Sequence, residues 1–582
     1  MKDNNSYILL CTKALESNWG SNQKLLFLGE WCKKFSKKKV YITRDYQTLD
    51  YHWLDRKKLK NDHKYLAELY ENILVALSAH LNTIHDLDKD LRYWRIIIGP
   101  WLISYIAVIW DRWESVSSIN KLDKIEIKAI KYLYKREVPM NHDHHHELIG
   151  SDLWNYSIFN DILDFIALNN FNFIESSEEL CNPSLKKQKS NSSLYFRIKY
   201  FIDVILFNFQ KSSYKNYFFT KTYFPKRVLY KIAFKLGFIP GFDTHFDQKI
   251  NYKVSDKRSN KKLENFKAKN KFESFLTNNI LNDIPSAYAE DFYFLHKKQN
   301  NFLNTKIIFT ANAHLNNDLF KIWAAEQTSI GAHLVISSHG GALYPLYSIF
   351  NHQELIADTR IVWGKEWMNN QIRMPANKLN FQIKNYCKDG DITLIGYDNK
   401  RYSYRLISTP TGPLVLNSYK HSFNLISKLN EELNGVIRVR PKRQGSYWET
   451  EERYISDFGK SIISKHKSMQ EVFKKSRLII CTYPETTLSE SIFSGVPTIL
   501  YMQPELWETQ QIYEQLLINM KKVKIFHDNA ESAQKHILSI YSDPIAWWIS
   551  DEVKEVLEEF HTTCLTDSDD HIFDWVNFFK KL

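Results

Sequence analysis

The chain is 582 residues long, 44% hydrophobic and 15% aromatic, with a formal net charge of +12 at pH 7. That length exceeds one ordinary core and predicts two domains with an insertion, and the hydrophobic and aromatic content excludes a disordered chain. Cys11, Cys32, Cys181, Cys387, Cys481 and Cys564 lie scattered without a CxxC pair, which argues against a zinc site or a disulfide framework and fits a reducing cytoplasm.

From the amino end, the apolar run Tyr7–Cys11 is too short for a secretory h-region. KLLFLG, residues 24–29, reads as a buried strand that places Glu30 and Trp31 off its carboxyl end. From about Asp55 to Lys135 the spacing turns helical, as in YLAELYENILVALSAHLNTIH, and predicts a helical insertion. The most membrane-like stretch, Ile96–Trp110, falls short of the roughly 18 residues a span needs and carries Gly99-Pro100. It reads as a buried helix. HDHHHE at His142–Glu147 lacks ligand spacing and reads as a polar loop, with no metal expected. Between Asn182 and Lys262 only Asp203, Asp243, Asp247 and Asp256 oppose many Lys and Arg, interleaved with Tyr and Phe. Such a stretch suits an anionic membrane surface, a pyrophosphate-linked lipid or a nucleic acid, or is simply a solvated face; no nucleic-acid-binding motif accompanies it. Strands and helices alternate again from Asn304: TKIIFT, DLFKIWAAEQTSIG, HLVISS. A polar linker is placed at 369–389. A second alternating unit follows, DITLIGY, GPLVLNS, VIRVR, RLIICT and PTILYM being its strands. Such alternation means a parallel sheet in each half.

Three loops carry the chemistry. In RLIICTYPETTLSESIFSGVPTILYM a strand ends at Cys481 before a Thr-rich loop and a short helix. Helix amino termini at strand carboxyl ends bind phosphates, so Thr482, Thr486 and Thr487 are expected on a donor phosphate and Glu490 on ribose hydroxyls. Thr487-x-x-Glu490 equally fits a capping box; the Thr-rich loop before it and the Gly-x-Pro after it favour binding. VIRVR ends at Arg440-Pro441 with Lys442 and Arg443 beyond, cations suited to a diphosphate or monophosphate. In HLVISSHGGALYP, Gly340 and Gly341 allow close backbone approach, and His339 is a candidate acid or base. Asn312-Ala-His314 is a weaker candidate of the same kind. Glu30 and Asp55 are candidate catalytic carboxylates, and His52 and Arg56 candidate acceptor contacts. No GxxxxGK[ST], HExxH or GxSxG occurs, nor a DxD between apolar runs.

TKALESNWG, LLFLGEWCKKFS, YHWLDRKKL, LRYWRIIIGPWL and DRWESV resemble the opening of a family of transferases from surface-polysaccharide gene clusters. ISSHGGALYP, RIVWGKEW, CTYPETTLSES, VPTILYMQPELWE and IFHDNAESAQKHI continue the likeness in order over nearly the whole chain. The resemblance implies a role in O-antigen or capsule assembly. The carboxyl-terminal blocks are also similar to the donor-binding half of GT-B enzymes using CMP-linked ulosonic acids, and to CDP-glycerol phosphotransferases. Carried over, that similarity puts Arg440-Pro441, Thr486, Thr487 and Glu490 on the nucleotide. The CMP-ulosonate enzymes commonly have His-Pro where this chain has Arg440-Pro441, so the donor stays open.

The expectation is therefore an α/β, GT-B-like chain with two Rossmann-like parallel-sheet domains facing a cleft. Residues 1–385 form the acceptor-side domain with a helical insertion over about 55–300. Residues 386–565 bind the nucleotide, and a terminal helix over 566–582 packs back on the first domain. The expected function is metal- and cofactor-independent transfer of a sugar from a nucleotide-activated donor to a glycan or lipid-linked glycan. The expected setting is cytoplasmic, at the inner face of an anionic membrane. The alternatives are a CDP-glycerol-type phosphotransferase and a non-catalytic glycan-binding protein.

Overall fold

Short runs of β-branched and aromatic residues become strands in the computed structural model. It describes the chain apart from residues 1–6, 15–18, 20–22, 123–125, 182–193, 210–214, 242–243, 245, 248–249, 254–257, 259–261, 300–303, 379–385, 434, 443–446 and 567. The described strands form three five-stranded sheets, parallel throughout. The first contains β1 (Ile8–Cys11), β2 (Lys24–Phe27), β3 (Tyr46–Thr48), β4 (Ile127–Leu133) and β5 (Phe171–Glu179) in the order β3-β2-β1-β4-β5. The second contains β6 (Tyr217–Thr220), β7 (Ile307–Thr310), β8 (His333–Ser337), β9 (Thr359–Val362) and β10 (Gln371–Arg373), laid side by side in sequence order. The third, β11 (Asp391–Ile395), β12 (Ile437–Arg440), β13 (Ser476–Cys481), β14 (Thr498–Tyr501) and β15 (Phe526–His527), has the order β12-β11-β13-β14-β15. Its direction of winding reverses between β11 and β13, which opens a crevice beyond their carboxyl ends.

The expected α/β class of parallel sheets holds, but the amino-terminal region carries two sheets where one was expected. The span 55–300 is not a purely helical insertion: β4, β5 and β6 lie in it, and the first two complete the first sheet. These strands escaped notice because β4 reads IKAIKYL, with lysines on its partly exposed face, and β6 sits in a Lys- and aromatic-rich stretch. The expected linker at 369–389 contains β10, the edge of the second sheet, and residues 379–385 lie outside the described ones.

Two long helices join the sheets. α1 (Arg56–His85) starts at Asp55, whose carboxylate accepts from Lys58 N at 3.1 Å. α2 (Leu91–Ser117) contains the apolar run 96–110 and buries it, as the sequence predicts. It is long and apolar enough to cross a membrane by composition, yet 94% of that window is buried. Each such Ile or Trp side chain withdrawn from water contributes about 1.5–3 kcal/mol. Gly99 lets His352 approach the helix: a Cβ there would stand 2.5 Å from the ring's Cε1. HDHHHE is not a loop but a helix, α3 (His142–Leu148), capped by Asn141 accepting from His144 N at 2.8 Å. The remaining helices needed here are α4 (Leu194–Phe209), α5 (Lys226–Lys235), α6 (Asp318–Ser329), α7 (Thr486–Phe493), α8 (Asp551–Cys564) and α9 (His571–Lys581). α9 packs on the second sheet, Phe579 lying 4.6 Å from Phe219 and Trp575 5.5 Å from Phe309 between ring centroids.

Lys13, just beyond β1, is fully buried. Its Nζ lies 3.6 Å from the Tyr156 ring centroid and 4.6 Å from that of Tyr132, with no hydrogen-bond partner among the described residues. Burial pushes its pKa down to about 7. An unfolded lysine keeps its proton to roughly pH 10.4, so between those values the unfolded state binds more protons and stability rises with pH. Lys13→Met should therefore be more stable than the wild type at pH 7, by about 1 kcal/mol or more, and the gap should narrow by pH 9.5. Urea denaturation at the two pH values checks this, and a gap that widens towards pH 9.5 rejects it.

Candidate functional site

The Thr-rich loop leaves β13 at the crevice where the third sheet reverses. Its residues divide the work between holding the loop and facing outwards. Thr482 is buried and donates to Ile395 O, at the end of β11, at 2.7 Å. Thr487 shares a 2.9 Å hydrogen bond with Tyr483. α7 begins at Thr486 with Glu485 as its cap residue, so Thr487 and Glu490 do not form a capping box. Glu490 instead pairs with Lys378 at 2.8 Å, and Lys378 comes from the chain that follows β10.

The loop after β8 meets this one from the second sheet. Gly341 N donates to Thr486 Oγ1 at 3.0 Å, and Ser489 Oγ donates to Gly341 O at 2.7 Å. A Cβ at Gly340 would overlap Thr486 Oγ1, so this approach requires glycine. Leu343 N donates to Pro484 O at 3.0 Å, and Gln510 Nε2 donates to Pro345 O at 3.0 Å. Two loops more than 140 residues apart in sequence (341 and 486) are thus sewn together.

Between them lies a cavity of about 300 Å³, walled by His339, Gly340 and Gly341 from one side and Glu485 and Thr486 from the other, with Arg360, Tyr344 and Arg405. His339 is exposed at the cavity rim; desolvation of its ring by the surrounding walls, then Arg360, Arg405 and Lys378, push its pKa down to about 4, so the imidazole is neutral at pH 7. Burial pushes the Glu485 carboxyl up, against the pull of Arg405 and Lys442. Arg405 has its Nε buried without a hydrogen-bond partner among the described residues, a donor available to an anion. Arg360, almost fully buried, donates to the carbonyls of Ile336 and Ile361 at 3.1 and 2.6 Å and to Ser338 Oγ at 3.2 Å. Ser338 in turn shares a 2.6 Å hydrogen bond with Tyr344.

The structure therefore brings together His339, Gly340, Gly341 and Thr486, with Glu490 one turn further along α7. The other expected residues lie elsewhere, each bound to structural partners. Arg440 donates to His466 O at 2.6 Å, and Lys442 to Asp398 O at 3.2 Å. Glu30 pairs with Lys33 at 2.9 Å and Asp55 caps α1, so neither carboxylate lines the cavity. Arg56 pairs with Glu508 at 2.5 Å, two residues before Gln510 of the cavity wall. His52 accepts or donates at 3.1 Å to Asp111, deep in the first sheet's packing. His314, the weaker candidate, is fully buried.

A model of the LIC12162 family transferase matches residues 8–579. The chain belongs to this family. No curated protein matches the transferase significantly. Among solved structures it is similar to α,α-trehalose 6-phosphate synthase from Burkholderia multivorans, at 10% identity and a TM-score of 0.30 over 50% of this chain and 74% of the other. It is similar to an O-GlcNAc transferase variant from Thermobaculum terrenum, at 10% identity and a TM-score of 0.30 over 84% and 86%. A third is a variant of the wall teichoic acid polymerase TagF, at 11% identity and a TM-score of 0.25 over 51% and 85%.

Sequence reasoning missed Glu485, Arg405, Arg360 and Lys378. Glu485 stands inside the Thr-rich loop already singled out, and only its hydroxyl neighbours drew attention. Arg405 follows β11, the strand beside β13, so the rule that ligands gather at strand carboxyl ends would have found it. Arg360 lies within a strand and Lys378 in a polar stretch, and no local pattern marks either.

Proposed function

We propose that this transferase is a GT-B glycosyltransferase that moves a sugar from a nucleotide-activated donor onto a glycan or lipid-linked glycan acceptor of a surface polysaccharide. The observation that carries the reading is the shared cavity: a neutral imidazole, a carboxyl group of raised proton affinity and an unpartnered arginine donor meet between two parallel sheets. About 300 Å³ is the lower end for small-molecule sites. It suits the sugar and its phosphate, with the nucleoside extending towards Glu490 and Lys378. Arg405 on the cavity wall neutralises the leaving phosphate, Lys378, paired with Glu490, adds a second cation beyond it, and the amino end of α7 adds its dipole. These cations supply the charge that a bound metal would otherwise provide, which supports metal-independent transfer. Glu485 takes the proton of the acceptor hydroxyl and His339 positions that hydroxyl.

The donor is read from a thermal-shift panel of CMP, CDP, UDP, GDP and dTDP. A ligand bound only by the native state stabilises by RT ln(1 + [L]/Kd), about 2.7 kcal/mol at a hundredfold excess. One nucleotide is expected to shift the melting temperature selectively, with the shift abolished by Arg405→Ala and reduced by Glu490→Ala. CMP would support an ulosonic acid donor. Phosphotransfer from CDP-glycerol also releases CMP, so a CMP shift accompanied by transfer of glycerol phosphate rather than a sugar would replace glycosyl transfer by phosphotransfer on the same scaffold. No shift with any of the five would turn the reading towards a glycan-binding protein.

A further inference from the structure

Apart from the cleft, the second sheet carries an unusual outer face. α5 exposes Lys226, Arg227, Tyr230, Lys231, Phe234 and Lys235 while burying Ile232 and Ala233. Phe234 is 81% exposed, and Ile239 follows it in the turn out of the helix. Tyr230, Lys231, Phe234 and Ile239 line a shallow groove with Phe238 and Pro240. α4 presents a matching stripe: Ile198, Phe201 (65% exposed) and Ile205 recur at spacings of three and four, along one side of a helix. The two elements are tied together, since Asp203 on the inner side of α4 accepts from Thr244 N at 2.9 Å, just beyond that turn.

Charge separates this face from an ordinary apolar interface. Lys215 to Gly241 contains six cations and no carboxylate, and no described carboxylate pairs with Lys226, Arg227, Lys231 or Lys235. Large apolar side chains ringed by unneutralised cations match a surface that is apolar inside and anionic at its edge. A second copy of the same face would set these cations against one another. The geometry points to docking on an anionic lipid bilayer, with Phe201, Phe234 and Ile239 entering the interface and the α5 cations meeting the headgroups. The face also lies near the cleft: Tyr223, three residues before α5, stands 6.0 Å from His339 between ring centroids. A lipid-anchored acceptor would thus enter from the membrane side. That last step rests on the proposed transfer; the docking itself does not.

Flotation of the full-length protein with vesicles tests the docking directly. Phosphatidylcholine vesicles containing about one-quarter phosphatidylglycerol should carry the protein, pure phosphatidylcholine vesicles should carry it at least tenfold less, and added salt should release it. Phe201→Ser with Phe234→Ser, and separately Lys226→Glu with Lys231→Glu, should each weaken flotation at least tenfold. None of these residues lines the cavity, so any nucleotide-induced thermal shift should be unchanged, which keeps a failed donor reading apart from failed docking and doubles as the folding control. Equal flotation with both vesicle types, or flotation indifferent to both pairs of substitutions, overturns the inference. So does a concentration-dependent dimer that Phe234→Ser abolishes, which would make the face an interface between copies.

Discussion

Glu485→Gln is expected to lower kcat about a hundred- to ten-thousandfold, the range of a lost general base. The substitution keeps the size of the side chain at the head of α7 and removes only its capacity to take a proton. It also deletes a negative charge facing Arg405 and Lys442, so the donor's phosphate should bind as well as before or better. The loss should therefore fall on kcat rather than KM. Burial raises the carboxyl's proton affinity, which makes the wild-type rate fall as pH drops and Glu485 becomes protonated. In Glu485→Gln that acid limb should flatten. His339→Asn should cost less, because an imidazole with its pKa pushed down to about 4 is a weak base at pH 7. Turnover by Glu485→Gln within threefold of wild type, with His339→Asn inactive, would transfer the base to His339. Rates would be followed as release of whichever nucleotide the thermal-shift panel selects.

Arg112→Met should destabilise the protein by about 3–5 kcal/mol, the cost of leaving a buried charge without its partner. Arg112 is fully buried, pairs with Asp111, and donates to Asn155 Oδ1 at 2.9 Å and Ser403 O at 2.8 Å. Asp111 also accepts from Tyr51 at 2.8 Å and contacts His52. Although burial pushes its carboxyl up, Arg112, His52 and Tyr51 hold it below the ordinary carboxylate range. Without the guanidinium that carboxylate is stranded. The bond to Ser403 gives the change a second consequence. Ser403 stands two residues before Arg405, in a stretch also anchored by Arg401 to Asp152 at 2.8 Å and by Ser104 to Tyr404 O at 3.1 Å. Arg112→Met should thus loosen the loop that carries Arg405 into the cavity and weaken nucleotide binding as well. Urea denaturation measures the first effect. Lys535→Ala, which removes an exposed pair with Glu531, should leave stability essentially unchanged. If Arg112→Met cost no more than that, the buried network would be no anchor.

Much of the architecture was legible because its signals are local. Strands β11 to β14 of the third sheet are runs closed by Gly, Pro or Thr and lie where the alternation put them, whereas the two-residue β15 carries no such signal and GPLVLNS, expected as a strand, opens the helix Leu414–Glu432. The buried reading of 96–110 survived because its apolar residues surround the whole helix. What escaped was non-local or disguised. Strands β4, β5 and β6 carry lysine, glutamate and aromatic residues on partly exposed faces, which blurs a period of two. In the site, strand ends and glycines were visible, and they pointed to His339, Gly340, Gly341 and Thr486, which line one cavity. Glu30 and Asp55 illustrate the opposite case. A carboxylate at a strand or helix end is as often a cap or an ion-pair partner as a base, and only its neighbours in space decide. Arg405 and Lys378 reach the cavity through the fold of distant segments, and no spacing along the chain encodes that.

The return of the carboxyl-terminal segment to the second sheet bears on how the protein is made. The aromatic surface formed by Phe219, Phe238 and Phe309 is covered by Trp575 and Phe579 of α9, and the carbonyl of Thr563 in α8 accepts from Lys365 N at 2.9 Å just beyond β9. During synthesis the second sheet leaves the ribosome some two hundred residues before the helices that cover it, at roughly 5–20 residues per second. Throughout that interval its outer aromatic layer stays wet and open to wrong partners. The nascent chain is therefore most in need of a chaperone late in translation, while the third sheet is still emerging.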